Sequence, residues 1–262
     1  MLAQTEIVPS EIRAIGCHGQ TVRHCPQDGY SIQLVNASLL AELTGITVIS
    51  DFRNRDIAAG GQGAPLVPAF HQAVFSHPYI HRLIINIGGI ANITSLPPKS
   101  DVTGFDCGPG NMLMDAWCHQ HTGMAYDHNG NWAKSGNLIP RLLEKLLASP
   151  YFTQPPPKST GRELFHLDWL ATFLSGSERP EDVQATLLSF TVETIKRAVM
   201  TWYSCAAELY LCGGGAHNAA LTMMLREAMP RHKIELTDAL GIPPDWVEAC
   251  AFAWLAQRTI EG

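Results

Sequence analysis

The run Arg82-Leu-Ile-Ile-Asn-Ile87 stops abruptly at Gly88-Gly89. Its apolarity is continuous rather than alternating, which suits a strand covered on both faces inside a helix-flanked sheet. The same design recurs along the chain. Ala14-Ile-Gly-Cys17 stops at His18-Gly19-Gln20-Thr21, Ile46-Thr-Val-Ile49 at Ser50-Asp51-Phe52-Arg53, and Glu208-Leu-Tyr-Leu-Cys212 at Gly213-Gly214-Gly215. Helical spacing fills the intervals, at residues 37–43 with Gly45 as C-cap, 66–75, 112–119, 182–198 and 245–258. Short strands are predicted at 93–96 and 102–105, around a Pro97-Pro98 turn. Strands that end in glycine or polar loops and alternate with helices predict an α/β protein.

With 262 residues, 46% of them hydrophobic, the chain can bury one large core or two modest ones. A formal charge of -6 and the lack of any Lys/Arg run argue against a nucleic-acid partner, so the ligand should be small. Seven cysteines at irregular spacing do not form a secreted disulfide framework. Met1 to Ser10 lacks the basic and apolar regions of a signal peptide, and the apolar stretch 249–256 is too short to span a bilayer. The expectation is a cytoplasmic protein with no membrane association.

Glycine at a strand end lets a backbone approach a ligand closely, and exposed amides at such turns attract phosphate oxygens. Asn86-Ile-Gly-Gly-Ile-Ala-Asn92 and Cys212-Gly-Gly-Gly-Ala-His-Asn218 both fit a nucleotide-contacting loop, although neither matches the P-loop or dinucleotide fingerprint. In Gly104-Phe-Asp-Cys-Gly-Pro-Gly-Asn111, Asp106 follows a short strand on a stiff turn, where a carboxylate can serve as general base. The alternative is that Asp106 or Asn111 caps the helix beginning near Met112. His18, Gln20 and Thr21 and the stretch Asp51 to Asp56 offer polar groups for a sugar, and an Arg there can pair with an acidic sugar's carboxylate or with a neighbouring Asp. Ala58-Ala-Gly-Gly-Gln-Gly-Ala-Pro65 reads as a hinge. Cys17-His18, His24-Cys25 and Cys118-His119-Gln120-His121 lack structural zinc spacing, and no Gly-x-Ser-x-Gly elbow occurs.

Together these segments are similar to one family, the anhydro-N-acetylmuramic acid kinases. The similarity rests on residues 14–21, Asp51-Phe-Arg53 with Asp56-Ile57, and Gly60-Gly-Gln-Gly-Ala-Pro-Leu-Val-Pro-Ala-Phe70. It continues through Asn86 to Asn92, Phe105-Asp-Cys-Gly-Pro-Gly-Asn-Met-Leu-Met-Asp115, Pro157-Lys-Ser-Thr-Gly-Arg-Glu163, Asp182-Val-Gln-Ala-Thr186 and Cys212 to Gly215, in order from residue 14 to 255. The resemblance implies the two-domain sugar kinase, heat-shock ATPase and actin-like fold, with nucleotide and sugar in an inter-domain cleft. Residues 1–62 and 244–262 would form an incomplete N-terminal, sugar-side domain, and 63–243 the nucleotide-side domain. It implies use of ATP and Mg2+ to convert 1,6-anhydro-N-acetylmuramic acid into N-acetylmuramic acid 6-phosphate in peptidoglycan recycling. Asp106 would be the base that activates water. Asn86, Gly88, Gly89 and Asn92 would contact the phosphates, and Gly108, Gly110 and Asn111 would bind the nucleotide. Gly213, Gly214, Gly215 and Asn218 would lie on the adenosine side. His18, Gln20, Thr21, Asp51 and Arg53 would face the sugar, joined by Gln62, Gly63, Ala64, Pro65 and Glu248. Members of the family tend to pair, so the resemblance allows a homodimer.

The chain departs from the family in places. The family's Gly-Thr-Ser phosphate loop does not precede Ile15, relatives continue beyond Gly262, and Cys107 stands where the family has Thr. The expectation is a truncated, weakly active kinase whose N-terminal domain has an open sheet edge. The alternatives are a sugar-binding pseudoenzyme of the same fold, and a relative that phosphorylates another sugar or only hydrolyses ATP.

Overall fold

The computed structural model describes residues 7–262; residues 1–6, part of the stretch read for a signal peptide and of the first domain, lie outside the described residues. The chain divides into two compact units. One comprises the chain up to Phe70 together with Glu248–Gly262, and the other His71–Val247. The divisions fall at Phe70 and Val247, whereas the sequence places them at residues 62 and 244.

In the first unit, β1 (Ile15–Gly16) opens the chain trace towards a hairpin of β2 (Gln20–Cys25) and β3 (Tyr30–Leu34). Gly29, at φ 82°, closes the hairpin turn. Helix α1 (Ala37–Thr44) begins where the Asn36 side chain accepts the Leu39 amide at 2.9 Å, and it ends at Gly45 with φ 67°. Strand β4 (Val48–Ile49) pairs in parallel with β1, Ile15 opposite Val48. Helix α2 (Phe52–Ala58) follows, and the division at Phe70 falls within α3 (Pro68–Phe75), most of which belongs to the second unit. The sequence predicts a polar loop over 18–21, but the second half of that loop is already β2. The hairpin was hidden because its apolar residues Val22, Ile32 and Leu34 are exposed and Ser31 is buried, the reverse of a core-facing alternation.

The second unit holds a five-stranded sheet in the order β7-β6-β5-β8-β9. Strands β5 (Arg82–Ile87), β6 (Ile90–Leu96) and β7 (Thr103–Pro109) form an antiparallel meander, and β8 (Glu208–Cys212) and β9 (Lys233–Leu236) lie parallel to β5. On one face Leu83, Ile85, Ile87, Ile93, Phe105, Leu209 and Leu211 are buried at 2% exposure or less. Against this face pack α4 (Met112–Thr122), α5 (Pro140–Leu147), α6 (Leu167–Ala171), α7 (Pro180–Trp202) and α8 (Ala219–Ala228), through Leu113, Leu146, Leu170, Leu187 and Leu221 among others. The final helix, α9 (Val247–Glu261), returns to the first unit, where the Phe252 carbonyl occupies the space a Cβ on Gly16 would need.

Strand β7 is longer than predicted. It runs through Pro109, so Asp106 lies within the strand rather than after it. A register irregularity between Ala91 and Asn92 absorbs the offset and lets pairing continue to Ile90 opposite Pro109.

Candidate functional site

The registers of four adjacent strands place Cys212 of β8 opposite Asn86 of β5, Asn86 opposite Asn92 of β6, and Asn92 opposite Asp106 of β7. Residues opposite one another in register share a face, so these side chains form one row on the face away from the helical core. At the usual strand spacing the row spans about 14 Å. Asp106 is half-buried at its end.

Three loops meet beside this row. The amides of Gly110 and Asn111 donate to the Gly89 and Gly88 carbonyls at 2.9 and 2.8 Å, and the Met112 amide to Gly89 at 3.2 Å. The Asn111 side chain donates to the Ile87 carbonyl at 3.2 Å; it occupies the N-cap position of α4 without capping it. Thr191 of α7 donates to the Gly110 carbonyl at 2.9 Å and fixes this loop from the helical side. These contacts bind loop 108–111 to loop 86–92. They also occupy the amides of Gly110 and Asn111, two of the residues expected to bind the nucleotide.

The glycines sort into two classes. A Cβ on Gly110 would overlap the Gly88 carbonyl, one on Gly213 the Asn86 side chain, and one on Gly215 the Ile87 side chain; on Gly108 it would come within 2.8 Å of the Phe152 ring. Those four are required by the protein's own packing. Around Gly88, Gly89 and Gly214 nothing lies nearer than 3.6 Å to such a Cβ. Gly89 and Gly214 are exposed and flank the row, so only something outside the chain would need them small. Asn218, expected on the adenosine side, caps α8 by accepting the Leu221 amide at 3.1 Å.

Asp106 is held from several directions. Its Oδ2 accepts the Thr160 amide at 3.0 Å, its own amide donates to the Lys158 carbonyl at 3.2 Å, and its carbonyl accepts the Tyr151 hydroxyl at 2.6 Å. Burial, with the Asp106 charge second, pushes the Tyr151 phenol far above its usual range and keeps it a neutral donor. Asp106 lies on β7, and Asn111 makes no side-chain capping bond to α4. Thr160, Tyr151 and Thr191 were not singled out as site residues in the sequence. The segment 157–163 carried a signal for the first, whereas nothing local marks the other two. Cys107, adjacent to Asp106, faces the opposite way into the helical core at 2% exposure.

In the first unit His18, Arg53, Gly63 and Glu248 gather. Arg53 Nε donates to His18 Nε2 at 2.9 Å and Nη1 to the Gly63 carbonyl at 2.7 Å, while the Gly63 amide donates to Asp56 Oδ2 at 2.7 Å. His18 Nδ1 lies 2.7 Å from the Gly19 carbonyl, and the ring packs on Phe252 with centroids 4.6 Å apart. Burial, then the Arg53 charge, hold the imidazole below its ordinary pKa, while Glu248 acts in the opposite sense. His18 is therefore a neutral orienting group for Arg53, its Nδ1 proton on Gly19. Asp51, at φ 63°, accepts Asn54 Nδ2 at 2.7 Å. Thr21 accepts Gln33 Nε2 at 3.2 Å, and Gln20 and Gln62 are exposed. Ala64 and Pro65 are half-buried and joined by a cis peptide.

Comparison with known proteins bears on this arrangement directly. The family model described as anhydro-N-acetylmuramic acid kinase matches residues 1–262. The chain belongs to the anhydro-N-acetylmuramic acid kinase family. It is 67% identical over 263 residues to the anhydro-N-acetylmuramic acid kinase of Nitrosomonas europaea, covering 100% of this chain and 72% of that protein. For the Nitrosospira multiformis kinase the identity is 60%, with 100% and 72% covered, and for that of Thiobacillus denitrificans 60%, with 98% and 70% covered. This family membership makes the chain an enzyme of the kinase family that the loops implied. Two solved structures align more loosely. The activator of 2-hydroxyisocaproyl-CoA dehydratase from Clostridium difficile, with bound ADPNP, is 14% identical at TM-score 0.45, over 82% of this chain and 70% of that one. Component A of the Acidaminococcus fermentans (R)-2-hydroxyglutaryl-CoA dehydratase is 13% identical at TM-score 0.46, over 87% and 76%. Among the described residues no helix is long and apolar enough to cross a membrane.

Proposed function

We propose that this chain opens 1,6-anhydro-N-acetylmuramic acid with water and phosphorylates the freed oxygen from ATP, giving N-acetylmuramic acid 6-phosphate. The observation that supports it most is Asp106, a carboxylate held by the Thr160 amide at the end of the polar row. In this reading Asp106 takes a proton from water, whose oxygen attacks the anomeric carbon. The bond from that carbon to the bridging oxygen breaks, and the oxygen stays on the sugar's primary carbon. That oxygen attacks the γ-phosphorus, the bond to the β,γ-bridging oxygen breaks, and ADP leaves. The proton remains on Asp106 until it is released to solvent. Such transfer is mainly positioning and charge stabilisation.

Asn86, Gly88, Gly89 and Asn92 are proposed at the phosphates and Gly213 to Gly215 at the adenosine side. The openness of Gly88, Gly89 and Gly214 supports the two loops, whereas Gly108, Gly110, Asn111 and Asn218 act as framework. The second unit is the nucleotide-side domain in this reading, and the first supplies sugar contacts. Arg53, with its fork oriented by His18, suits the lactyl carboxylate of the sugar. Glu248, Gln20, Thr21, Asp51 and residues 62–65 supply further polar groups.

Magnesium is used by many phosphoryl-transfer enzymes, and it is bound by one or two carboxylates with phosphates and waters. Among the described residues no group of three or more His, Cys, Asp or Glu side chains is arranged to hold a metal. The row offers a single carboxylate, already committed as base. These residues do not make a protein-built magnesium site, and no step is derived through the ion.

The test is product identity. The purified chain, given ATP and the anhydro sugar, should form N-acetylmuramic acid 6-phosphate and ADP in equal amounts. A phosphorylated sugar that retains its anhydro bridge, or ADP without sugar phosphate, would contradict the reading.

A further inference from the structure

Two buried polar atoms beside Asp106 lack a partner among the described residues. One is Asn92 Oδ1, on the strand position directly opposite Asp106, and the other is Thr160 Oγ1, on the residue whose amide holds Asp106 Oδ2. Buried polar atoms without partners are rare and costly, and two within one site point to an occupant from outside the chain. The chemistry of the pair restricts that occupant. Asn92 Oδ1 only accepts, and phosphate oxygens only accept, so a phosphate cannot satisfy it. The occupant must donate to Asn92, exchange a hydrogen bond with the Thr160 hydroxyl and present a proton to the neighbouring carboxylate. Water does all three.

We infer that Asn92 Oδ1 and Thr160 Oγ1, together with the Asp106 carboxylate, form a three-point seat for the attacking water. This rests on the hydrolytic reading of Asp106 given above and assigns Asn92 and Thr160 as residues that position the nucleophile. Water has two protons to give and two lone pairs. Donating one proton to Asp106 and the other to Asn92 while accepting from Thr160 leaves a single lone pair, fixed in direction, for the anomeric carbon. When Asp106 takes its proton, the remaining O–H stays on Asn92 and becomes the new anomeric hydroxyl. No oxidant or further reactant is required. The Asn92 Nδ2 group remains on the row beside Asn86, where it can still serve a phosphate oxygen, so one carboxamide would couple the water to the nucleotide.

The decisive variant is Thr160→Val, which keeps shape and the backbone amide on Asp106 and removes only the hydroxyl. Thr160→Ser restores the hydroxyl, and Asn92→Ala removes the acceptor. Two readouts are needed, a water-resolving crystal structure of the purified 262-residue chain and steady-state kinetics with ATP and the anhydro sugar. The expected structure has a water within hydrogen-bond distance of Asn92 Oδ1, Thr160 Oγ1 and Asp106, and Thr160→Val lacks it. In kinetics, Thr160→Val should lower kcat about tenfold to a hundredfold with both KM values within threefold, and Asn92→Ala should lower kcat on the same scale while also raising the KM for ATP through loss of Nδ2, since misplacing a reactant by about 1 Å costs on this scale. Thr160→Ser should recover most of the loss. A dry recess in the wild-type structure would overturn the inference, as would unchanged kcat in both variants of a turning-over wild type. If wild type makes no sugar phosphate while the water is present in it and absent from Thr160→Val, the seat stands and the kinase reading fails.

Discussion

Asn92 and Asp106 stand directly opposite one another on β6 and β7, and Asn86 stands opposite Asn92 on β5. Asp106 is therefore part of a sheet rather than of a stiff turn after a strand, and its position is fixed by backbone pairing on one side and by the 158–160 segment on the other. Removing the Tyr151 hydroxyl tests how much that second support contributes. Tyr151→Phe leaves the Asp106 carbonyl without its 2.6 Å donor and should destabilise the fold by about 1–3 kcal/mol in urea unfolding. An unchanged midpoint would mean the bond contributes nothing.

The two glycine classes lead to opposite outcomes. Gly110→Ala forces a Cβ onto the Gly88 carbonyl and should cost about 1–3 kcal/mol in stability, what overpacking costs elsewhere. Gly89→Ala meets only an ordinary van der Waals contact, the Met112 Cβ at 3.7 Å, and should melt within a degree or two of wild type while raising the KM for ATP at least about fivefold. Thermal melts and ATP titrations of both variants separate packing from ligand approach.

In the first unit, Arg53→Ala should raise the KM for the anhydro sugar about tenfold to a hundredfold, the range of a lost charge-assisted bond. The KM for ATP should stay within twofold. His18→Ala, which removes the group that receives Arg53 Nε, should show the same pattern more weakly. An equal rise in both KM values would place Arg53 elsewhere in the reaction.

Asp115, on α4, has its pKa raised to about 6, first by burial and then by the nearby Asp127 charge. The unfolded value is about 4. The folded protein therefore binds more protons than the unfolded chain between these values, and stability on this group's account falls as pH rises from about 4 to about 6. Asp115→Asn should gain about 1 kcal/mol over wild type at pH 7, discounted for its partial exposure, and no advantage at pH 4. Urea midpoints of both proteins across that interval check the sign.

Much of the second unit was legible in the sequence. Strands β5 and β8 are found at the residues their apolar runs marked, because burial on both faces writes a continuous pattern. Asn86 already broke that pattern in β5, and it proved to be part of the polar row. The length of β7 and the hairpin β2–β3 were not legible. The first depends on a register irregularity at Ala91, and the second exposes Val22, Ile32 and Leu34, so neither leaves a periodic trace. Tyr151 reaches Asp106 from a short 3-10 turn, Pro150–Thr153, and Thr160 from the irregular stretch after the prolines, and only folding brings them there. Cys107 was read as a change beside the base. Its side chain enters the core, and Cys107→Thr should leave kcat within threefold.

The central claim is that Asp106 activates the water that opens the anhydro bridge. The most direct measurement compares wild type and Asp106→Asn in an ATP-coupled assay with the anhydro sugar, scoring N-acetylmuramic acid 6-phosphate. The account predicts product from wild type and a loss of about a hundredfold to ten-thousandfold in the variant, the usual range for a general base. Equal rates from the two proteins would contradict it.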